Sequence, residues 1–191
     1  MPRLFTGIEI PPDIAADLDL MKGGVWGARW IEPENFHLTL RFVGDVDENV
    51  SSELALMLQG VSPPAFTMQL RGVGAFGGAK PHTIYTGVPE NPALRRLQAA
   101  QERICQAVGL PPEQRKYTPH VTLARLRQAN AGEVQRFIAA HNLYASRPFE
   151  VTSFVLFSSR PSRGGGPYAV VERFDLRRQE PDLSSRAAAG R

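Results

Sequence analysis

Two four-residue stretches decide how this chain is read: His37-Leu38-Thr39-Leu40 and His120-Val121-Thr122-Leu123. Side chains two apart on a β-strand share a face. Each stretch, read as a strand, therefore turns an imidazole and a hydroxyl one way and two apolar side chains the other. The chain has only 4 histidines, and two of them open this pattern. At ordinary residue frequencies a given histidine is followed by x-Thr-Leu roughly one time in two hundred, so the repetition is a signal. The two stretches lie a little under half the chain length apart. Each apolar face predicts a buried half of a core, and each polar face predicts one wall of a shared groove.

The flanks fit a repeated plan. Residues 3–10 alternate as a strand, and Pro11-Pro12 opens a short helix that ends near Gly23-Gly24. Residues 29–31 read as a short extended piece, and Pro33-Glu34-Asn35 turns the chain into the strand 36–43. Residues 50–58 have helical spacing behind the capping residues 45–48, and 65–73 reads as one strand. The Gly-rich stretch 74–80 lacks the spacing of a phosphate-binding loop. It reads as a hairpin turn into the strand 83–88. Asn91-Pro92 opens a helix that ends at Gly109. Then come strand 119–126, helix 132–140, strand 149–157 and strand 168–174. Trp26 and Trp30 read as packing residues. From about residue 177 the composition turns polar and reads as a disordered tail, 177–191. Interspersed helices and hairpin-like strands predict an α+β fold: one domain, 1–176, of two pseudo-symmetric lobes around a central groove.

Composition narrows the setting. With 191 residues, 42% of them apolar and 21% charged, the chain can bury a core of ordinary size. No stretch reaches the roughly 18 apolar residues of a membrane-spanning helix. Residues 1–9 lack the apolar segment of a secretory leader. The single cysteine, Cys105, cannot form an internal disulfide and reads as a buried hydrophobe. A cytoplasmic monomer is expected. The net charge of +3 leans weakly toward an anionic partner.

Two imidazoles and two hydroxyls facing one groove suit phosphodiester hydrolysis. Imidazole gives or takes a proton near neutral pH, and hydroxyls donate to phosphate oxygens where charge builds. His37 and His120 are thus the catalytic candidates, and Thr39 and Thr122 the phosphate ligands. No cofactor is called for. A zinc site drawing on Cys105, His82 or His141 lacks any close ligand pair. Strand parity also puts Arg41 on the groove face, to meet substrate phosphate or to stand solvated at the rim. His82 and Tyr85, on a strand that could border the groove, are further candidate substrate contacts, with packing as the alternative. The loop 160–166 could cradle an RNA backbone or simply be mobile.

The paired motifs resemble those of the two-histidine phosphoesterases. The longer stretches Pro33-Glu34-Asn35-Phe36-His37-Leu38-Thr39-Leu40-Arg41-Phe42-Val43-Gly44 and Pro119-His120-Val121-Thr122-Leu123-Ala124-Arg125 are similar to the two signature motifs of the RNA 2′,3′-cyclic phosphodiesterases, also called LigT-like proteins or 2′–5′ RNA ligases. The opening strand 3–11 and the closing strands around Phe154 and Tyr168 share the likeness. The resemblance implies two α+β lobes, each a small antiparallel sheet with helices, and metal-free opening of a terminal 2′,3′-cyclic phosphate to a 2′-phosphate, with RNA ends or related nucleotides as partners and 2′–5′ ligation as the reverse reaction. It implies that His37 is the acid, His120 the base, and Arg125 a third phosphate ligand. Strict alternation, however, puts Arg125 on the wrong face unless the strand bulges near Ala124. Two alternatives stay open: a phosphodiesterase for a small cyclic nucleotide phosphate such as ADP-ribose cyclic phosphate, and an RNA-binding module without turnover.

Overall fold

The computed structural model describes residues 3–159 and 166–178. Most of the loop 160–166 and of the tail therefore lies outside the described residues. Strands β1 (Arg3–Glu9), β2 (Ala28–Trp30), β3 (His37–Asp45), β4 (Phe66–Met68), β5 (Arg71–Phe76), β6 (Thr83–Gly87), β7 (His120–Leu126), β8 (Phe149–Val151), β9 (Ser153–Ser159) and β10 (Tyr168–Asp175) alternate with helices α1 (Pro12–Asp19), α2 (Glu48–Gln59), α3 (Pro92–Ala107) and α4 (Ala131–His141). The fold is α+β with antiparallel sheets, as expected.

Helix starts follow from local chemistry. Asp47 caps α2 by accepting from the Val50 N–H, and Asn91 caps α3 through Leu94 with Pro92 in the first turn. Asn130 caps α4 through Gly132 and Glu133. Helix α3 buries Leu94, Leu97, Gln101 and Cys105, one stripe at helical spacing. Cys105 is thus a core residue, and burial pushes its thiol up to about 11.

The strands form an eight-stranded sheet in the order β10-β9-β1-β3-β7-β6-β5, with β2 also paired to β7. The expectation of a separate small sheet in each half gives way to one hydrogen-bonded sheet. Its two halves join at the centre through the antiparallel pair Leu38↔Val121 of β3 and β7. With the short β2 and the closing β10 set aside, the element order runs β1-α1-β3-α2-β4-β5 and then β6-α3-β7-α4-β8-β9. The last strand of each run borders the first strand of the other: β9 pairs with β1, and β5 with β6.

Two predicted strands are each split. Residues 65–73 break between β4 and β5, and 149–157 break at Thr152 between β8 and β9. The short pieces β4 and β8 pair with each other in a two-stranded sheet of their own. A segment that serves two sheets must turn, and apolar alternation alone carries no mark of that turn. The hairpin between β5 and β6 is present, its turn made by Gly77 with φ 109° and closed by Lys80 N–H to the Gly77 carbonyl.

Two packing expectations change. Trp30 packs on Phe137 at 5.2 Å, but Trp26 is 72% exposed. Arg177, assigned to the tail by composition, is tied to residues 62–65 through backbone bonds to Pro63 and Ala65 and its Nε on the Ser62 carbonyl.

One face of the large sheet carries the main core. Leu4, Ile8, Leu38, Leu40, Val121 and Leu123 pack there with Ile14, Leu54, Leu94 and Val134 from the four helices. The opposite parity of β1 and β9 supplies a small second cluster, Phe5, Val155 and Phe157, with Tyr168 against it. The candidate site lies beside this second cluster.

Candidate active site

His37 and Thr39 on β3 and His120 and Thr122 on β7 are all half-buried, while Leu38, Leu40, Val121 and Leu123 are buried. The alternation is the one the motifs predict. The antiparallel pair Leu38↔Val121 brings the two motifs side by side. All four polar side chains line one groove of about 1150 Å³.

The two imidazoles are held in the same way. His37 Nδ1 lies 2.8 Å from the Asn35 carbonyl, and His120 Nδ1 lies 2.7 Å from the Thr118 carbonyl. A carbonyl only accepts, so each Nδ1 carries a hydrogen and each Nε2 is left for proton transfer. Each ring also has aromatic neighbours. Phe5 lies 4.8 Å and Tyr168 4.9 Å from His37, the latter edge-on. Phe76 at 4.8 Å and Tyr85 at 5.4 Å meet His120 edge-on.

These surroundings disfavour the charged imidazole. Desolvation is the main cause for both rings. For His37 the Asn35 carbonyl opposes the shift while the charges of Arg125 and His120 reinforce it, and the result falls to about 4. His120 is also lowered; there the Thr118 carbonyl opposes and Arg125 reinforces. Both rings are therefore neutral in the free protein at pH 7.

A bulge follows the threonine in both motif strands. Opposite β1, Thr39 pairs with Gly7 and Arg41 with Thr6, so Leu40 is the extra residue. Opposite β6, Thr122 pairs with Tyr85 and Ala124 with Ile84, so Leu123 is the extra residue. An extra residue resets strand parity. In β7 this turns Arg125 to the groove side, where its Nη1 donates to Thr83 Oγ1 at 3.2 Å. The same hydroxyl lies 3.0 Å from His82 Nδ1. Arg125, His82 and Thr83 thus form one end of the groove.

In β3 the same device packs Arg41 into the groove wall, which it still lines. Its residue is only 8% exposed. Its guanidinium is occupied by Glu102 Oε2 and by the carbonyls of Phe42 and Pro111. Phe42 takes the groove-facing position and is 48% exposed. Arg41 is thus a packed ion-pair residue in the groove wall, with three of its five N–H hydrogens spent inside the protein.

Tyr85 stacks on Phe76 at 4.2 Å and stands against His120. Sequence reading passed over Asn35, Phe5, Phe76, Thr83 and Tyr168. Of these, Asn35 carried a signal, since a residue two before each motif histidine is placed to supply a carbonyl. Its own side chain is buried and accepts from the Tyr168 N–H at 3.3 Å. A side chain at Gly166 would meet that Asn35 amide at 2.4 Å, so glycine lets β10 start close against it. Among the described residues no group of three or more His, Cys, Asp or Glu side chains is placed to hold a metal, and no helix is long and apolar enough to cross a membrane.

Comparison with known proteins agrees with this geometry. Residues 10–163 match the family model of the 2′-5′ RNA ligase superfamily. An RNA 2′,3′-cyclic phosphodiesterase of Aeropyrum pernix is 42% identical over 144 residues, 74% of this chain and 82% of that one. One from Aquifex aeolicus is 30% identical over 173 residues, 88% and 90% of the two chains. The crystal structure of E. coli LigT complexed with 3′-AMP superposes with a TM-score of 0.74 at 25% identity, covering 92% of this chain and 99% of that one. The chain belongs to the 2′-5′ RNA ligase superfamily.

Proposed function

We propose that this protein opens the terminal 2′,3′-cyclic phosphate of RNA to a 2′-phosphate by histidine acid–base chemistry that needs no metal. One observation carries the reading. Two histidines on adjoining strands each spend Nδ1 on a backbone carbonyl and turn toward one groove, accompanied by Thr39, Thr122 and Arg125. The groove lies between two pseudo-symmetric halves, and that symmetry presents the phosphate with two equivalent proton carriers. The named relatives from Aeropyrum pernix and Aquifex aeolicus support the substrate class.

In the reaction, water attacks phosphorus and gives its proton to one neutral Nε2. The bond from phosphorus to O3′ breaks, and the other histidine, protonated, donates to O3′. The products are a 2′-phosphate and a 3′-hydroxyl, and the two rings have exchanged protonation states. Thr39 and Thr122 donate to the non-bridging oxygens, and Arg125 neutralises charge that develops on them. The family resemblance gives the acid role to His37 and the base role to His120. Because burial holds His37 near 4 in the free protein, its proton must arrive with the anionic substrate, whose charge favours the imidazolium. A 5′-hydroxyl attacking in place of water yields a 2′–5′ junction, which is the ligation reaction.

The groove volume of about 1150 Å³ exceeds the roughly 300–1,000 Å³ of ordinary small-molecule sites, which favours an RNA end over a free cyclic nucleotide. The test uses an oligonucleotide ending in a 2′,3′-cyclic phosphate, with the ADP-ribose cyclic phosphate in parallel. The expected product carries a 2′-phosphate, and turnover on RNA exceeds both the small molecule and a His37→Ala control. A 3′-phosphate product, or RNA bound without turnover, would overturn the reading.

A further inference from the structure

Residues 110–119, between α3 and β7, form neither helix nor strand, yet they are pinned along their length. The Pro111 carbonyl accepts from Arg41 Nη2 at 2.6 Å, and the Glu113 N–H donates to Glu102 Oε1 at 3.0 Å. The Tyr117 hydroxyl donates to the Thr39 carbonyl at 3.3 Å, and the Thr118 carbonyl holds His120. The buried Arg41–Glu102 pair therefore braces a segment that runs from the first motif strand to the second motif histidine.

This segment is a wall with a cavity on each side. Lys116, Tyr117 and Thr118 line the main groove, and the same three residues line a second cavity of about 300 Å³ together with Tyr85, Asn91 and Arg95. The charges along the wall are not equivalent. Arg115 is paired with Glu113 and Arg95 with Glu90. Lys116 is exposed and has no ion pair within 4.0 Å among the described residues. Its charge is felt at longer range by Glu90, which lines the second cavity and is itself paired with Arg95, so Lys116 stands at the divide between the two spaces with no carboxylate in contact.

We infer that the second cavity is the subsite for the nucleotide preceding the cyclic-phosphate end, and that Lys116 meets the phosphodiester joining the two nucleotides. This deepens the RNA-end reading and rests on it. The chemistry required is a phosphodiester monoanion crossing the wall, with a sugar and base beyond it. The subsite takes any base. Of the cavity's groups suited to reading a base edge, the Asn91 amide binds the Thr67 carbonyl through its nitrogen and the Leu94 N–H through its oxygen, and Arg95 and Glu90 are paired with each other. The tyrosine rings offer flat surfaces that do not discriminate bases.

The experiment compares a 2′,3′-cyclic mononucleotide with dinucleotides ending in that same cyclic nucleotide, in wild type, Lys116→Gln and Lys116→Glu. On a single strand each neutralised phosphate contributes a slope of about 0.7 in log affinity against log salt, so one contact is worth about four-fold at 0.15 M relative to 1 M salt. Wild type should prefer the dinucleotide, and Lys116→Gln should reduce that preference about four-fold, through KM. The salt slope of the dinucleotide KM should fall by about 0.7. Lys116→Glu should reduce the preference further, and changing the upstream base should not alter it. An unchanged preference in both variants, or a strong dependence on the upstream base, would overturn the subsite while leaving the hydrolytic function standing. Failure of wild type to open either substrate would overturn both.

Discussion

Acid should destabilise the folded protein through His37 in a way that a variant lacking the ring escapes. The folded value is about 4, against the usual 6.5. The unfolded chain therefore binds a proton between these values while the folded chain does not, and stability is lost as pH falls through that window. The full gap corresponds to about 3 kcal/mol at 1.36 kcal/mol per unit, and about 2.5 kcal/mol of it is spent by pH 4.5. His37 is half-buried, so water in the groove trims this to between about 1 and 2.5 kcal/mol. His120 is shifted in the same direction and adds to the wild-type loss. The carboxylates of Glu102 and Glu113, held low in the fold, also weaken it toward acid, but equally in both proteins. The assay is urea unfolding of wild type and His37→Gln at pH 7 and pH 4.5. The variant should lose less stability than wild type by the stated margin. Equal losses would show that the ring is not desolvated, and the aromatic enclosure by Phe5 and Tyr168 would then have no electrostatic consequence.

Thr39→Ala and Thr122→Ala should each slow turnover by roughly ten- to a thousand-fold with little change in thermal stability, since each removes a donor to developing charge; wild-type rates would take that hydroxyl off the phosphate. Activity should survive excess EDTA, and loss restored by zinc or manganese would replace the histidine-only chemistry with a metal-assisted one. Asn35→Ala removes the acceptor for the Tyr168 N–H and should loosen the ring that stands edge-on to His37. The acid limb of the rate profile should then move up toward 6.5, and an unmoved limb would separate Asn35 from the tuning of His37.

The helix caps, the hairpin and both motif faces were legible in the sequence because each depends on residues a few positions apart. Asp47 and Asn91 cap the helices that follow them, and His37 and Thr39 share a face by strand parity alone. What escaped depends on partners far along the chain. The bulges at Leu40 and Leu123 arise from pairing with β1 and β6, and no local residue announces them. They set two groove-lining arginines differently: Arg125 reaches Thr83 at one end of the groove, and Arg41, in the groove wall, pairs with Glu102. Phe5 and Tyr168 beside His37 and Phe76 beside His120 come from three other strands, so the lowered values of the two rings were invisible until those strands were assembled.

Turnover of a cyclic-phosphate RNA end against pH, in wild type, His37→Ala, His120→Ala and the double variant, bears most directly on the acid–base pair. With both rings shifted down, kcat/KM for the free protein should trace a bell centred on the acid side of 6.5, with two apparent values that belong to the pair. Each single variant should lose about a hundred- to ten-thousand-fold. The double variant should lose far less than the product of the two, because the rings act as a unit. Thermal unfolding recorded on each protein separates lost chemistry from lost structure. A folded His37→Ala or His120→Ala protein that keeps near-normal turnover would contradict the pairing of these two histidines in catalysis.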